Sequence, residues 1–168
     1  MMMEGGNDGM VGRSPLPTFQ PSDLPTTGRL CGIDWGERRI GLALSDESQI
    51  LAQPLGTLTR RRSKRFPMKD LLTHLDTHQV VGLVVGLPLD ASGDEGEAAR
   101  AARTLAQDIA RRAARPVALW DERFTTARVR RAVHEMGGTP RDRAGDIDAL
   151  AATLLLQHYL DGRRGTSV

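Results

Sequence analysis

Aromatic side chains are scarce in this chain, at 4% of 168 residues, so its core must be built from aliphatic side chains. One cysteine, Cys31, excludes a disulfide within the chain and suits a reducing, cytoplasmic compartment. Set in an apolar run, it reads as a small core residue rather than a reactive thiol. No apolar run approaches the roughly 18 residues of a membrane span. The first residues lack a basic flank followed by an apolar stretch, so no secretion signal is expected. Lysine is nearly missing: of 23 basic residues, all but Lys64 and Lys69 are arginine. His74, His78, His134 and His158 follow no recognised motif and read as surface or core-edge residues.

Arginine fills the gap. It clusters at Arg60-Arg61-Arg62 with Lys64 and Arg65, at Arg111-Arg112 with Arg115, and at Arg128, Arg130 and Arg131. A planar guanidinium fork matches phosphate geometry, so the clusters read as a nucleic-acid footprint. The plainer reading is a solvated, arginine-rich surface. Residues 1–28 are rich in Gly, Pro, Ser and Thr with no apolar period, and read as a disordered tail. Residues 29–168 are left as a single domain of ordinary size.

Within that domain, Leu30 to Trp35 reads as a strand. A tight turn over Gly36 to Arg39 returns it into Ile40–Ser45, and a third strand spans Ile50 to Leu58. Pro67 opens a helix with Met68, Leu71, Leu72 and Leu75 on one side. Val80 to Val85 is short and wholly apolar apart from Gly82, the pattern of a strand buried on both faces and stopped by Gly86-Leu87-Pro88. An alanine-rich helix follows from about Glu97 to Ala114, then a strand from Val117 to Trp120. Thr125 or Thr126 caps a helix through Met136 that Gly137-Gly138 ends. The last helix runs from about Ile147 to Leu160. Three meander strands followed by alternating strands and helices predict a mixed α/β sheet with helices on both faces.

Acidic residues fall where such a sheet gathers ligands, outside the carboxyl ends of its strands. Asp34 closes the first strand. Asp121 and Glu122 close the fifth, and if that strand continues they point to opposite faces, so one of them enters a shared site. Asp148 lies beside the apolar stripe of the last helix, and Asp146 two residues earlier fits its N-cap. Carboxylates brought together repel and raise one another's pKa unless a cation neutralises them. All-oxygen sites of this kind suit Mg²⁺ or Mn²⁺, one or two ions. Each residue also has a bland role: a turn-capping aspartate at Asp34, an ion pair with Arg123 at Asp121 or Glu122, a first-turn acid at Asp148. Gly86 lets backbone approach a phosphate or simply turns the chain. Trp35 and Trp120 each adjoin an acid, point away from it and read as core.

Four stretches together resemble the YqgF/RuvX family of the ribonuclease H-like superfamily. They are Gly32-Ile33-Asp34-Trp35-Gly36 through Arg39-Ile40-Gly41, Val84-Val85-Gly86-Leu87-Pro88, Asp121-Glu122-Arg123-Phe124-Thr125-Thr126, and Asp148-Ala149 with Ala151-Ala152. The resemblance implies a five-stranded sheet of order 3-2-1-4-5 with the second strand antiparallel. It also implies a metal-dependent nuclease and a homodimer. Such proteins look like Holliday-junction resolvases and are named for processing the 5′ end of precursor 16S rRNA. Matched residue by residue, the family's acids fall on Asp34, Glu122 and Asp148 as catalytic and metal-holding groups. Many resolvase-like members place an acid at the end of the fourth strand, where this chain has Gly86-Leu87-Pro88. Arg38, Arg39, Arg61, Arg62, Arg65 and Arg123 are the expected phosphate contacts. Two other classes compete: a non-catalytic nucleic-acid-binding or regulatory module, and a small phosphotransferase, since Asp34-x-Gly36 before a hairpin also resembles the first phosphate loop of sugar kinases and actin-like ATPases.

Overall fold

Period-two burial organises the molecule. The computed structural model describes residues 19–36, 39–60, 65–123 and 144–165. Five strands, β1 (Leu30–Trp35), β2 (Arg39–Ser45), β3 (Ala52–Thr59), β4 (Gly82–Leu87) and β5 (Val117–Asp121), form one sheet of order β3-β2-β1-β4-β5. β2 runs antiparallel to β1 and β3, while β1, β4 and β5 are parallel. Cys31, Ile33, Ile40, Leu42, Leu83, Val85, Val117 and Leu119 alternate onto one face. They pack there with α1 (Met68–Thr77) and α2 (Glu97–Ala113). Leu30, Ala43, Val84 and Ala118 alternate onto the other, under Ala152, Leu156, Tyr159 and Leu160 of α3 (Ala144–Gly165). Helices therefore cover both faces, as the element order predicts, and the sheet is the expected mixed one with its second strand antiparallel.

Element ends differ from the sequence reading for local reasons. β3 starts at Ala52 because the Ile50 and Leu51 amides donate to the Asp46 carboxylate (2.7 and 2.9 Å), which holds both in a turn. β4 is displaced by two residues. The Val80 amide closes the end of α1 on the Leu75 carbonyl, and Gly86 and Leu87 pair with Trp120 and Asp121 instead of stopping the strand. α3 runs past Leu160 through Gly162, whose bare Cα accommodates the Trp120 ring; a Cβ there would meet it at 3.1 Å. The helix expected over Thr125–Met136, and Gly137-Gly138 after it, lie outside the described residues.

The stretch 19–28, read from sequence as the end of a tail, packs on the sheet. Phe19 and Leu24 are buried, and Pro21–Asp23 forms a 3₁₀ turn. The Tyr159 hydroxyl donates to the Pro21 carbonyl (3.0 Å), and Arg163 donates to the carbonyls of Leu24 (2.7 Å) and Pro25 (2.9 Å). Proline-rich chain lacks periodicity, so two isolated apolar anchors leave no pattern to read. Residues 1–18 of the expected tail lie outside the described residues. Among the described residues, no helix is long and apolar enough to cross a membrane.

Candidate active site

β1 is the central strand, and Asp34 stands next to its carboxyl end, opposite Gly41 of β2. Its neighbour two residues back, Gly32, lies directly under α3: a Cβ there would come within 2.9 Å of Leu156 Cβ and 3.1 Å of the Ala152 carbonyl. Gly41 is tighter still, since a Cβ would overlap the carbonyl oxygen of Asp148. Two glycines on adjacent strands thus seat the α3 backbone against the sheet, at the level of Asp34. The third glycine on this face is Gly86, where a Cβ would overlap the Glu122 carboxylate and come within 3.2 Å of Leu155. The space a side chain would take at Gly86 is filled by Glu122.

Strand parity settles which acid of the fifth strand turns inward. Odd positions of β5 face α1 and α2; even positions face α3. The Glu122 amide donates to the Leu87 carbonyl (3.3 Å), which continues the ladder one residue beyond β5. Glu122 therefore joins Asp34, and the two carboxyls share a hydrogen bond. Asp121 takes up the ion pair that was its bland alternative. Arg123 donates to its carboxylate from Nε (2.9 Å) and Nη2 (2.7 Å), and the Arg123 amide donates to the same group (3.0 Å). Burial raises the Asp121 carboxyl, but the bonds from Arg123 outweigh it and the net shift is down.

The electrostatics of the inward acids run the other way. Burial pushes Glu122 up to about 8, reinforced by the charge of Asp34, their hydrogen bond and the charge of Asp121. Burial also raises Asp34, with the bond to Glu122 pulling it part of the way back. Two desolvated carboxylates in contact cannot both ionise cheaply, so both are shifted toward the protonated form. Asp148 is raised by burial and by the charge of Asp34, and lowered by Arg39. Arg39, at the start of β2, is thereby a cation whose charge reaches this cluster.

The donor set is wholly carboxylate oxygen, desolvated and under mutual repulsion, which fits a hard divalent cation. As placed, Asp34 and Glu122 are in contact and Asp148 acts on Asp34 through its charge. Among the described residues, no three potential ligands stand close enough to hold one ion.

The profile of the RuvX family, described as a Holliday junction resolvase, matches residues 28–162. The chain belongs to the RuvX family. A relative from Paramagnetospirillum magneticum, named "Putative pre-16S rRNA nuclease", is 38% identical over 154 residues, covering 89% of this chain and 99% of the relative. A relative of the same name from Anaeromyxobacter is 41% identical over 135 residues, covering 80% and 98%. Among solved structures, RuvC of T. thermophilus in complex with a Holliday junction superposes with a TM-score of 0.50 at 19% identity, over 83% of this chain and 97% of that one. That likeness shows the ribonuclease H-like fold. Membership in the family places the chain among phosphodiester-cleaving hydrolases.

Of the other residues singled out from sequence, Arg65 is exposed. Arg123 is held by Asp121 and extends toward Gly93, where a Cβ would meet its Nη1 at 3.2 Å. Arg38, Arg61 and Arg62 lie outside the described residues, and Asp146 belongs to the first turn of α3. Trp120 points away from Asp121 and packs against the core under α3, as read from sequence. It shares the face of Glu122, packs edge-on against Tyr159 and donates its N–H to His158 Nδ1 (2.8 Å). The seating role of Gly32 was not foreseen, although it shares the parity of the acid face. An open cavity of about 550 Å³ among Thr27, Arg29, Glu47, His78 and Gln79 lies at the amino ends of β1 and β4, away from the acids.

Proposed function

We propose that the chain is a divalent-cation-dependent endonuclease acting on structured nucleic acid, with the 5′ end of precursor 16S rRNA as its favoured substrate and branched DNA as the second. One observation carries the reading: Asp34 and Glu122, from strands on either side of β4, meet under α3 with Asp148 adding a third charge. A buried acid pair of this kind is destabilising without a cation or a proton, so its presence argues for a working site. The names of the relatives favour the RNA substrate.

In this reading Asp34, Glu122 and Asp148 would hold Mg²⁺ or Mn²⁺. The cation would supply Lewis-acid polarisation of the phosphate and a water of lowered pKa. The chain's own groups do the rest. Arg39, whose charge already acts on Asp148, is placed to hold a non-bridging phosphate oxygen. Exposed Arg65, with Arg61 and Arg62, supplies salt-sensitive affinity for the backbone on either side. α3 is seated on the sheet beside the acids, which stay partly exposed to an incoming phosphate. A homodimer and a cytoplasmic location complete the proposal; the first follows from the family resemblance and the second from the single cysteine, and sedimentation tests the first.

The test is cleavage of a panel holding precursor rRNA ends and four-way junctions, with Mn²⁺ or with chelator. Asp34→Asn should abolish cutting while leaving the fold intact. Metal-independent cutting, or full activity of Asp34→Asn, would overturn the proposal.

A further inference from the structure

We infer that Trp35 and Arg60 form a stacking platform for an unpaired base of the substrate, at the rim of the sheet beside Asp34. The inference rests on the nuclease reading above and narrows its substrate class to nucleic acid with unpaired bases next to the cut. Trp35 directly follows Asp34, so their Cα atoms are about 3.8 Å apart, but its side chain goes to the opposite face, where it packs against the edge of the α1–α2 core. Arg60 follows β3 at the same end of the sheet. The register sets Arg39 against Thr59 and Ile40 against Trp35. The Arg60 guanidinium lies over the indole, with Cζ 5.4 Å from the ring centroid. Both residues are partly exposed.

Three features make this more than a plug on the core. First, the pair is planar and cationic, the surface on which unpaired bases stack in single-strand binders. Second, Trp35 directly follows an acid of the site, at the same end of the sheet. Third, the Trp35 indole N–H is buried without a hydrogen-bond partner, so the ring is placed by stacking and packing and no hydrogen bond fixes it. A base paired within a duplex keeps its faces covered, so the platform selects strands that are single or splayed.

Fluorescence anisotropy in chelator, where the strand is not cut, tests this with a labelled single-stranded RNA and a blunt duplex of the same sequence. Arg60→Lys keeps the charge and removes the plane. It should weaken single-strand binding about tenfold, within the range for loss of one stacked base, and leave duplex affinity and the salt slope unchanged. Trp35→Phe, which keeps a ring, should retain the single-strand preference. Full retention of single-strand affinity by Arg60→Lys, with melting temperature unchanged or lowered, would overturn the platform and leave the nuclease reading standing. So would equal losses on both probes in Arg60→Ala with a flatter salt slope, since that marks a phosphate contact alone. Failure of the wild-type protein to bind either probe would overturn both.

Discussion

Gly41 and Gly86 both admit something a side chain would displace, but the two displacements differ in kind. At Gly41 the obstacle is the backbone of α3. Gly41→Ala has to move the helix and should destabilise the fold by about 1–3 kcal/mol, with activity lost as Asp148 leaves the site. At Gly86 the obstacle is mainly the free end of the Glu122 side chain. Gly86→Ala should keep nearly all of its stability while losing activity, because the carboxylate is pushed off Asp34. Thermal melts and cleavage rates on the two variants distinguish these outcomes; equal destabilisation would mean that Glu122 is not what fills the space over Gly86. The same contrast separates the neighbouring acids. Glu122→Gln should remove cleavage and relieve repulsion, whereas Asp121→Asn weakens only the Arg123 clamp and should retain substantial activity. A dead Asp121→Asn with an active Glu122→Gln would reverse the face assignment.

Among elements, the strands were the most legible in the sequence and α3 the least. β1 and β2 are short apolar runs on either side of a tight turn, and their ends follow from the turn chemistry. α3 extends three residues before Ile147 and five beyond Leu160. Its extensions carry little hydrophobic signal, because Trp120 packs on Gly162 and the segment 21–25 occupies Tyr159 and Arg163. Contacts between parts of the chain distant in sequence leave no local periodicity, which is also why residues 19–28 read as tail. The acids were legible as candidates because strand ends are recognisable. Choosing Glu122 over Asp121 needed the ladder to continue past β5, a matter of one backbone hydrogen bond. Removing residues 1–25 exposes the sites of Phe19 and Leu24, each worth about 1.5–3 kcal/mol of burial. That truncation should lower the melting temperature clearly, and Arg163→Ala should reproduce part of the loss. A truncated protein as stable as the full chain would show that the segment is not part of the folding unit.

For the whole molecule, the acid pair makes stability depend on pH in an unusual direction. A carboxyl whose folded pKa is raised binds more protons in the native state than in the unfolded one, so stability falls as pH rises between the two values. For Glu122 that window runs from the ordinary value of 4.5 to about 8, and Asp34 and Asp148 shift in the same direction. The cost at the upper end is on the order of a few kcal/mol. The melting temperature in chelator should therefore fall from pH 5 to pH 8, and Glu122→Gln should flatten that fall. Added Mn²⁺ should reverse it, since a ligand at about 100 times its Kd stabilises by about 2.7 kcal/mol. A wild-type curve in chelator that is flat across this range would mean the two carboxyls do not meet.

The topology also sets a schedule. Asp34 lies in the first strand and Asp148 in the last helix, with the sheet's other half made between them. During synthesis β1, β2 and β3 emerge together as a meander, but the groove over Gly32 and Gly41 stays uncovered until α3 has left the ribosome. A nascent chain, or a fragment broken off before that helix, carries acids without their cover and cannot assemble the complete set. With the acids as the proposed cutting site, the enzyme should be silent while it is being made, and cutting activity would report that translation has run through α3.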